Sequence, residues 1–281
     1  MTAPPGPHGR RRWRGRRRPR FKGSSFNRMI PNIMTLLGLC AGMTAIRFAL
    51  EGRFGASAVA IVVAGCIDGI DGRLARLLKA VTRFGAEFDS LTDFLCFGVA
   101  PALVIYLWSL ERGGGIGYVP CLIFAVCMAL RLARFNAELD QTEMAPYAYN
   151  FFKGVPAPAG AGLALFPLFV GLQAERLGWT WLEQFAGHPL VCAIVLAGTA
   201  GLLVSSLPVW SFKNFKVPHD YVLPILLGVG FFTAVLVAEP WAALAAAGLI
   251  YCAMLPMSRR SYWRLRAEAE AGDDLDRDAV A

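Results

Sequence analysis

The stretch "CIDGIDGRLARLLKAVTRFGAEFDSLTD", residues 66–93, places Asp68, Asp71, Asp89 and Asp93, with Glu87, between two long apolar runs. Asp68 and Asp71 are three residues apart, and Asp89 and Asp93 are four apart. On helices both spacings put the pair on one face. Two antiparallel helices joined by a short loop can then aim four carboxylates at one point. Left bare, such a group repels itself, and cations remove the repulsion. An all-oxygen, carboxylate-rich set suits Mg2+ or Mn2+, and less specifically Ca2+. Four carboxylates leave room for two divalent ions. A single Asp at membrane depth can be a hydrogen-bonded packing residue, but four at these spacings mark a functional site.

Outward from this stretch the chain reads as lipid-embedded. It has 281 residues, 56% hydrophobic and only 17% charged, with a mean hydropathy of +0.48. Eight runs are long enough to cross a bilayer, at 32–50, 56–78, 90–110, 118–136, 155–174, 189–207, 221–238 and 240–257. The expected fold is therefore all-α, a polytopic integral membrane helical bundle. The fifth and sixth runs carry internal Pro or Gly, which membrane helices tolerate. The seventh and eighth are parted only by Glu239-Pro240.

The formal charge of +8 is concentrated in "RRRWRGRRRPRFK", residues 10–22, and "SRRSYWRLR", residues 258–266. Beside membrane runs, such blocks read as attraction to an anionic leaflet rather than to nucleic acid. The N-terminus does not read as a cleaved signal peptide, because no short apolar stretch with a small-residue cleavage site follows the basic block. With that block inside, the inner segments hold Lys79, Arg83, Lys153, Lys213, Lys216 and both basic ends, and the outer loops hold Arg53, Arg112 and Arg176. An even number of spans agrees, and places the acidic hairpin at the cytoplasmic surface. Residues 1–25 are expected to be a basic, disordered cytoplasmic arm, 26–257 the transmembrane catalytic unit, and 258–281 a basic then acidic, disordered cytoplasmic tail. The seven cysteines form no CxxC pair and read as small buried hydrophobes, and the three histidines do not cluster, which disfavours zinc.

Small residues accompany the carboxylates. Gly65, Gly69, Gly72 and Ala75, with Gly38 and Gly42 of the first run, leave helix surface bare for either of two uses: close helix packing, or a flat ligand group lying on the backbone. Arg73, Arg76 and Arg83 suit either a positive cytoplasmic loop or phosphate contacts. Metals, arginines and small residues together describe a diphosphate site at a membrane surface.

Written out, the stretch is Asp68-x2-Asp71-Gly72-x2-Ala75-Arg76-x8-Gly85-x3-Asp89-x3-Asp93. This resembles the signature D-x2-D-G-x2-A-R-x8-G-x3-D-x3-D of the CDP-alcohol phosphatidyltransferases. Within that family, "NIMTLLGLCAG" (32–42), "FGAEFDSLTDFLCFGVAPA" (84–102), "RLARFN" (131–136), "FFKGVPAPAGA" (151–161) and "LLVSSLPVWSFK" (202–213) are similar to the membrane-integral phosphatidylserine synthases. The similarity runs over about 30–215. It implies a six-helix core, usually homodimeric, extended here by two helices over about 221–257, in the bacterial inner membrane.

The resemblance also implies roles. Asp68, Asp71, Asp89 and Asp93 would hold two divalent ions, Mg2+ or Mn2+, on the diphosphate of CDP-diacylglycerol, with Asp93 also general base on the hydroxyl of L-serine. Asn32, Thr35, Gly72, Ala75, Arg76 and Thr82 would bind the CDP part. A serine carboxylate calls for a cation, and Arg131, Arg134, Asn136 and Lys153 are the candidates, while the cytoplasmic-flank role suits the same basic residues. Pro156 and Pro158 read as shaping the entrance of the fifth helix.

Three other readings compete. The same chemistry could serve glycerol 3-phosphate, inositol or choline. A divalent-cation transporter would spread acidic residues through the bilayer depth, whereas the other runs are nearly free of Asp and Glu. A catalytically inactive lipid-binding scaffold would not need the complete Asp set.

Overall fold

The structure is a computed structural model and describes residues 29–78, 80–139, 151–210 and 219–280. The basic N-terminal arm, Lys79, Lys213 and Lys216 lie outside them. The chain runs α1 (Ile30–Leu50), α2 (Phe54–Leu77), α3 (Arg83–Asp93), a π-helical turn (Phe94–Val99), α4 (Ala100–Trp108), a 3-10 turn (Leu110–Gly113) and α5 (Gly114–Leu139). Then follow β1 (Phe151–Lys153), α6 (Ala157–Ala164), α7 (Phe166–Leu177), α8 (Thr180–Ala186), α9 (Pro189–Val204), β2 (Pro208–Trp210), α10 (His219–Ala238) and α11 (Pro240–Val280).

Six helical stretches are long and apolar enough to cross a membrane, and two bent pairs bring the number to as many as eight, as expected. The protein is thus a polytopic helical membrane protein. The fifth and sixth spans are broken. Helices α6 and α7 meet at 45° where Pro167 starts α7, and α8 and α9 meet at 50° across Gly187-His188-Pro189. Proline lacks the N–H that would continue a helix, so the breaks fall where the sequence puts it. The His188 ring Nδ1 accepts from Leu190 N at 3.2 Å and caps α9, which gives that histidine a structural task.

Three features depart from the sequence reading. The third span begins at Arg83 rather than at residue 90, because Thr82 caps it by accepting from Gly85 N at 3.0 Å. A short antiparallel pair, Phe151–Lys153 with Pro208–Trp210, joins the entrance of α6 to the exit of α9. Gly154 turns that corner at φ +78°, where an added Cβ would meet Ser205 O and Leu203 O at about 3 Å. Finally, the expected disordered tail is corrected: α11 continues as one helix to Val280. Its Ala, Glu, Leu and Arg residues are strong helix formers and extend the turns already set by the span.

The core is built by close packing of small residues and a few large ones. Ala45 and Ala49 of α1 face Ser57 and Ala58 of α2, with Ser57 Oγ donating to Ala45 O at 2.7 Å. Such small-residue seams, not burial from water, hold membrane helices together. Phe97, Phe124, Met128, Leu168, Leu196 and Leu203 fill the centre between the π turn, α5, α7 and α9. Cys96, Cys121 and Cys192 are buried as expected, whereas Cys40, Cys66 and Cys252 lie on exposed helix faces.

Gly42 is where α1 touches the π turn. A Cβ there would overlap Cys96 Sγ and reach Leu95 Cδ2 at 3.2 Å. Of the two uses open to Gly42, packing is the one the structure bears out. Gly42→Ala is expected to cost about 1–3 kcal/mol, the usual penalty of overpacking, and to lower the unfolding temperature in detergent. Gly69→Ala, whose Cβ meets nothing within 4 Å, should leave that temperature unchanged or slightly raised. Equal behaviour of the two variants would contradict the packing described here.

Candidate active site

Helices α2 and α3 form the expected hairpin, linked by residues 78–82. Asp68 and Asp71 project from the last turns of α2, and Asp89 and Asp93 from α3. Carboxylate oxygens of Asp68, Asp71 and Asp89 all lie within 4.8 Å of one another. Asp93 sits against Asp68 and lines the same pocket, with Thr35, Gly38, Ala64, Thr92, Cys96 and Phe97. The pocket encloses about 200 Å³, its mouth included. Glu87, on the same helix, is exposed and does not join.

The π turn starts directly after Asp93. A π turn adds a residue to one helical turn, so α4 continues at a different register from α3. Cys96 Sγ donates to Gly38 O at 3.4 Å, and Gly98 lets Met128 approach. These contacts pin the segment carrying Asp93 between α1 and α5.

Thr35 stands behind the cluster. Its hydroxyl donates to Asp71 Oδ2 at 2.9 Å, and both residues are nearly sealed, at 6% and 4% exposed. The ion pairs Arg47–Glu51, Arg53–Glu51 and Arg176–Glu239 lie away from the four aspartates. Two ionised carboxylates 4.8 Å apart repel by roughly 3 kcal/mol at an effective dielectric of about 20. Several such pairs in one pocket ask for a cationic occupant. The donor set fits one: it is all oxygen and carboxylate-rich. The buried Thr92 Oγ1, 6% exposed and without a hydrogen-bond partner among the described residues, offers a further oxygen. The residues present therefore fit divalent ions.

The other expected residues distribute as follows. Asn32 Oδ1 lies 3.0 Å from where a Cβ on Gly85 would stand, and Thr82 Oγ1 is 3.1 Å from it. Asn32, Thr82 and Gly85 thus gather at the start of α3. Gly72 faces open space, nothing lying within 4 Å of its Cβ position. Ala75 is half-buried beside it, and Arg76 is exposed on the last turn of α2. Arg131 donates from Nε to Val155 O at 2.7 Å, with its charge in electrostatic reach of Asp93, Asp68 and Tyr251. Asn136 Nδ2 donates to Ser90 Oγ at 2.9 Å, tying α5 to α3 next to Asp89. Arg134 is exposed one turn along α5 from Arg131. Lys153 belongs to β1, and its side chain lies outside the described residues. Pro156 caps α6 and Pro158 stands in its first turn, as expected.

Sequence reading missed Ser90, Thr92 and Tyr251. The first two lie inside the opening stretch, between the aspartates, where only the spacing of the acids drew attention. Tyr251 is a hydroxyl-bearing residue in an apolar run, and that was its only signal.

The sequence profile of the family described as "CDP-alcohol phosphatidyltransferase" matches residues 28–197. A second profile, "CDP-alcohol phosphatidyltransferase 2", matches 220–256, the last two spans. A protein of Mycobacterium bovis named CDP-diacylglycerol–serine O-phosphatidyltransferase is 38% identical over 92% of this chain and 87% of its own length. One of the same name from Mycobacterium leprae is 39% identical over 92% of this chain and 83% of its own. A third, from Helicobacter pylori, is 33% identical over 77% of this chain and 85% of its own.

Proposed function

From the premise that the chain belongs to the CDP-alcohol phosphatidyltransferase family, we propose that it is a phosphatidylserine synthase, joining the phosphatidyl group of CDP-diacylglycerol to L-serine and releasing CMP. The observation that carries the reading is the four-aspartate pocket on the α2–α3 hairpin, in a chain whose relatives carry that enzyme's name over most of their length.

In this reading Asp68, Asp71, Asp89 and Asp93 would hold two divalent ions, Mg2+ or Mn2+, which would supply positive charge against the diphosphate and the departing CMP. Asn32, Thr35, Gly72, Ala75, Arg76 and Thr82 receive the CDP part, the open face at Gly72 letting it lie close to the backbone. Arg131, Arg134, Asn136 and Lys153 surround the acceptor. Serine's hydroxyl is a poor nucleophile at neutral pH, and Asp93 takes its proton. The serine oxygen bonds to the phosphorus that carries diacylglycerol. The bond from that phosphorus to the bridging oxygen breaks, and CMP leaves with the electron pair. The acyl chains stay in lipid while serine arrives from the cytoplasm, the side assigned by the basic ends. The catalytic unit is residues 26–257, working as a homodimer in a bacterial inner membrane.

Isotopically labelled L-serine, incubated with purified protein, CDP-diacylglycerol and Mn2+, should enter the lipid phase. Label that stays in water, with glycerol 3-phosphate, inositol or choline incorporated instead, would keep the family chemistry and overturn the acceptor.

Gly72→Ala separates ligand contact from packing. The added methyl meets nothing within 4 Å, and Ala is the better helix former by about 1 kcal/mol. Stability should hold or rise while KM for CDP-diacylglycerol rises about tenfold or more, as a misplaced substrate demands. Unchanged KM would remove Gly72 from the CDP surface.

A further inference from the structure

We propose that Tyr251 of α11 is an acceptor-binding residue, its hydroxyl acting with the Arg131 guanidinium on the carboxylate of the incoming amino acid. The inference rests on the phosphatidylserine synthase reading and extends it to a helix from which the sequence drew no functional residue.

The inner face of α11 is a helical stripe. Leu244, Tyr251 and Leu255 pack against the core, Ser258 is buried, and Gly248 comes close enough that a Cβ would meet Phe166 Cδ2 at 3.3 Å. The spacings of four, three, four and three residues keep these positions on one side. Gly248 thereby fixes how near α11 lies to α6 and α7, and Tyr251 follows one turn later. Helix α11 also touches β2, whose partner strand β1 leads directly to Val155. Val155 O is the acceptor that holds Arg131.

Two properties of Tyr251 point to a ligand. Its hydroxyl is enclosed yet has no hydrogen-bond partner among the described residues, whereas buried tyrosine hydroxyls usually find one. It also stands in electrostatic reach of Arg131, the cation shared with Asp93 and Asp68. A carboxylate accepts hydrogen bonds and carries negative charge. It matches a guanidinium flanked by a hydroxyl donor better than any neutral headgroup does. With the carboxylate held there, the serine hydroxyl is presented toward Asp93, which shares Arg131 with it.

Tyr251→Phe removes one oxygen and keeps the ring, so α11 should pack as before. The test is steady-state kinetics of the full-length protein in detergent, with L-serine and CDP-diacylglycerol varied in turn. Loss of a hydrogen bond to a charged group predicts a serine KM raised roughly ten- to hundredfold, with KM for CDP-diacylglycerol and the unfolding temperature unchanged. Tyr251→Gln, which restores a donor, should recover part of the serine affinity. An unaltered serine KM in Tyr251→Phe would overturn the inference, as would a fall in kcat alone, the mark of a packing role. Wild-type protein that does not consume L-serine at all would instead overturn the reading beneath it, and the inference with it.

Discussion

Asp93→Asn is expected to lower serine-dependent CMP release by about a thousandfold, within the range contributed by a positioned general base. Asn matches Asp in size and keeps one acceptor oxygen, but it cannot take a proton. Asp93 ends α3 at the π turn, against Asp68. The three carboxylates grouped within 4.8 Å, Asp68, Asp71 and Asp89, remain in the variant. Divalent-ion binding, read as Mn2+-dependent stabilisation against thermal unfolding, should therefore survive, though weakened, while turnover is lost. Activity within tenfold of wild type would remove Asp93 as the base. Loss of activity together with complete loss of Mn2+ stabilisation would trace the effect to the place of Asp93 in the metal site rather than to a base.

Asp71→Asn should have an effect of similar size by a different route. Asp71 is 4% exposed and accepts from Thr35 at 2.9 Å. The Asn amide oxygen can still take that hydrogen bond, so the fold should persist. What disappears is one full charge from the cation site. Metal-centred charge stabilisation is worth several kcal/mol, and each 1.36 kcal/mol is tenfold in rate. A loss of about a thousandfold follows, with the Mn2+ requirement shifted to higher concentration and Mn2+ stabilisation weakened. Chelation of wild-type protein with EDTA should likewise abolish CMP release, and Mn2+ should restore it. Activity that persists in EDTA would contradict divalent dependence.

The acidic hairpin was legible because helical spacing is a local property. Separations of three and four place Asp68 with Asp71 and Asp89 with Asp93 whatever the rest of the chain does. The spans were legible for the same reason, since run length and apolarity are read within a single window. What escaped depends on groups distant in sequence or on the fine geometry of one turn. The pairing of Phe151–Lys153 with Pro208–Trp210 joins segments more than fifty residues apart, and neither carries a strong strand signal. The π turn after Asp93 leaves no mark in composition. The third span starts ahead of its apolar run because Thr82 caps it from a polar stretch that apolarity alone does not count as helix. Breaks at Pro167 and Pro189 were written in the sequence as prolines, but not their angles. Gly42 and Gly72 looked alike on paper. Only the neighbours of each, Cys96 against Gly42 and open space beside Gly72, separate packing from a surface free to take a ligand.

In the proposed function the four-aspartate hairpin moves a phosphatidyl group onto serine. The most direct measurement is the stoichiometry of CMP released to acceptor incorporated, using purified full-length protein, CDP-diacylglycerol and Mn2+, with L-serine, glycerol 3-phosphate, inositol and choline in parallel. One CMP for each serine entering lipid, with the other three inert, is the predicted result. CMP release matched to another alcohol, or none from folded protein that still binds Mn2+, would contradict it.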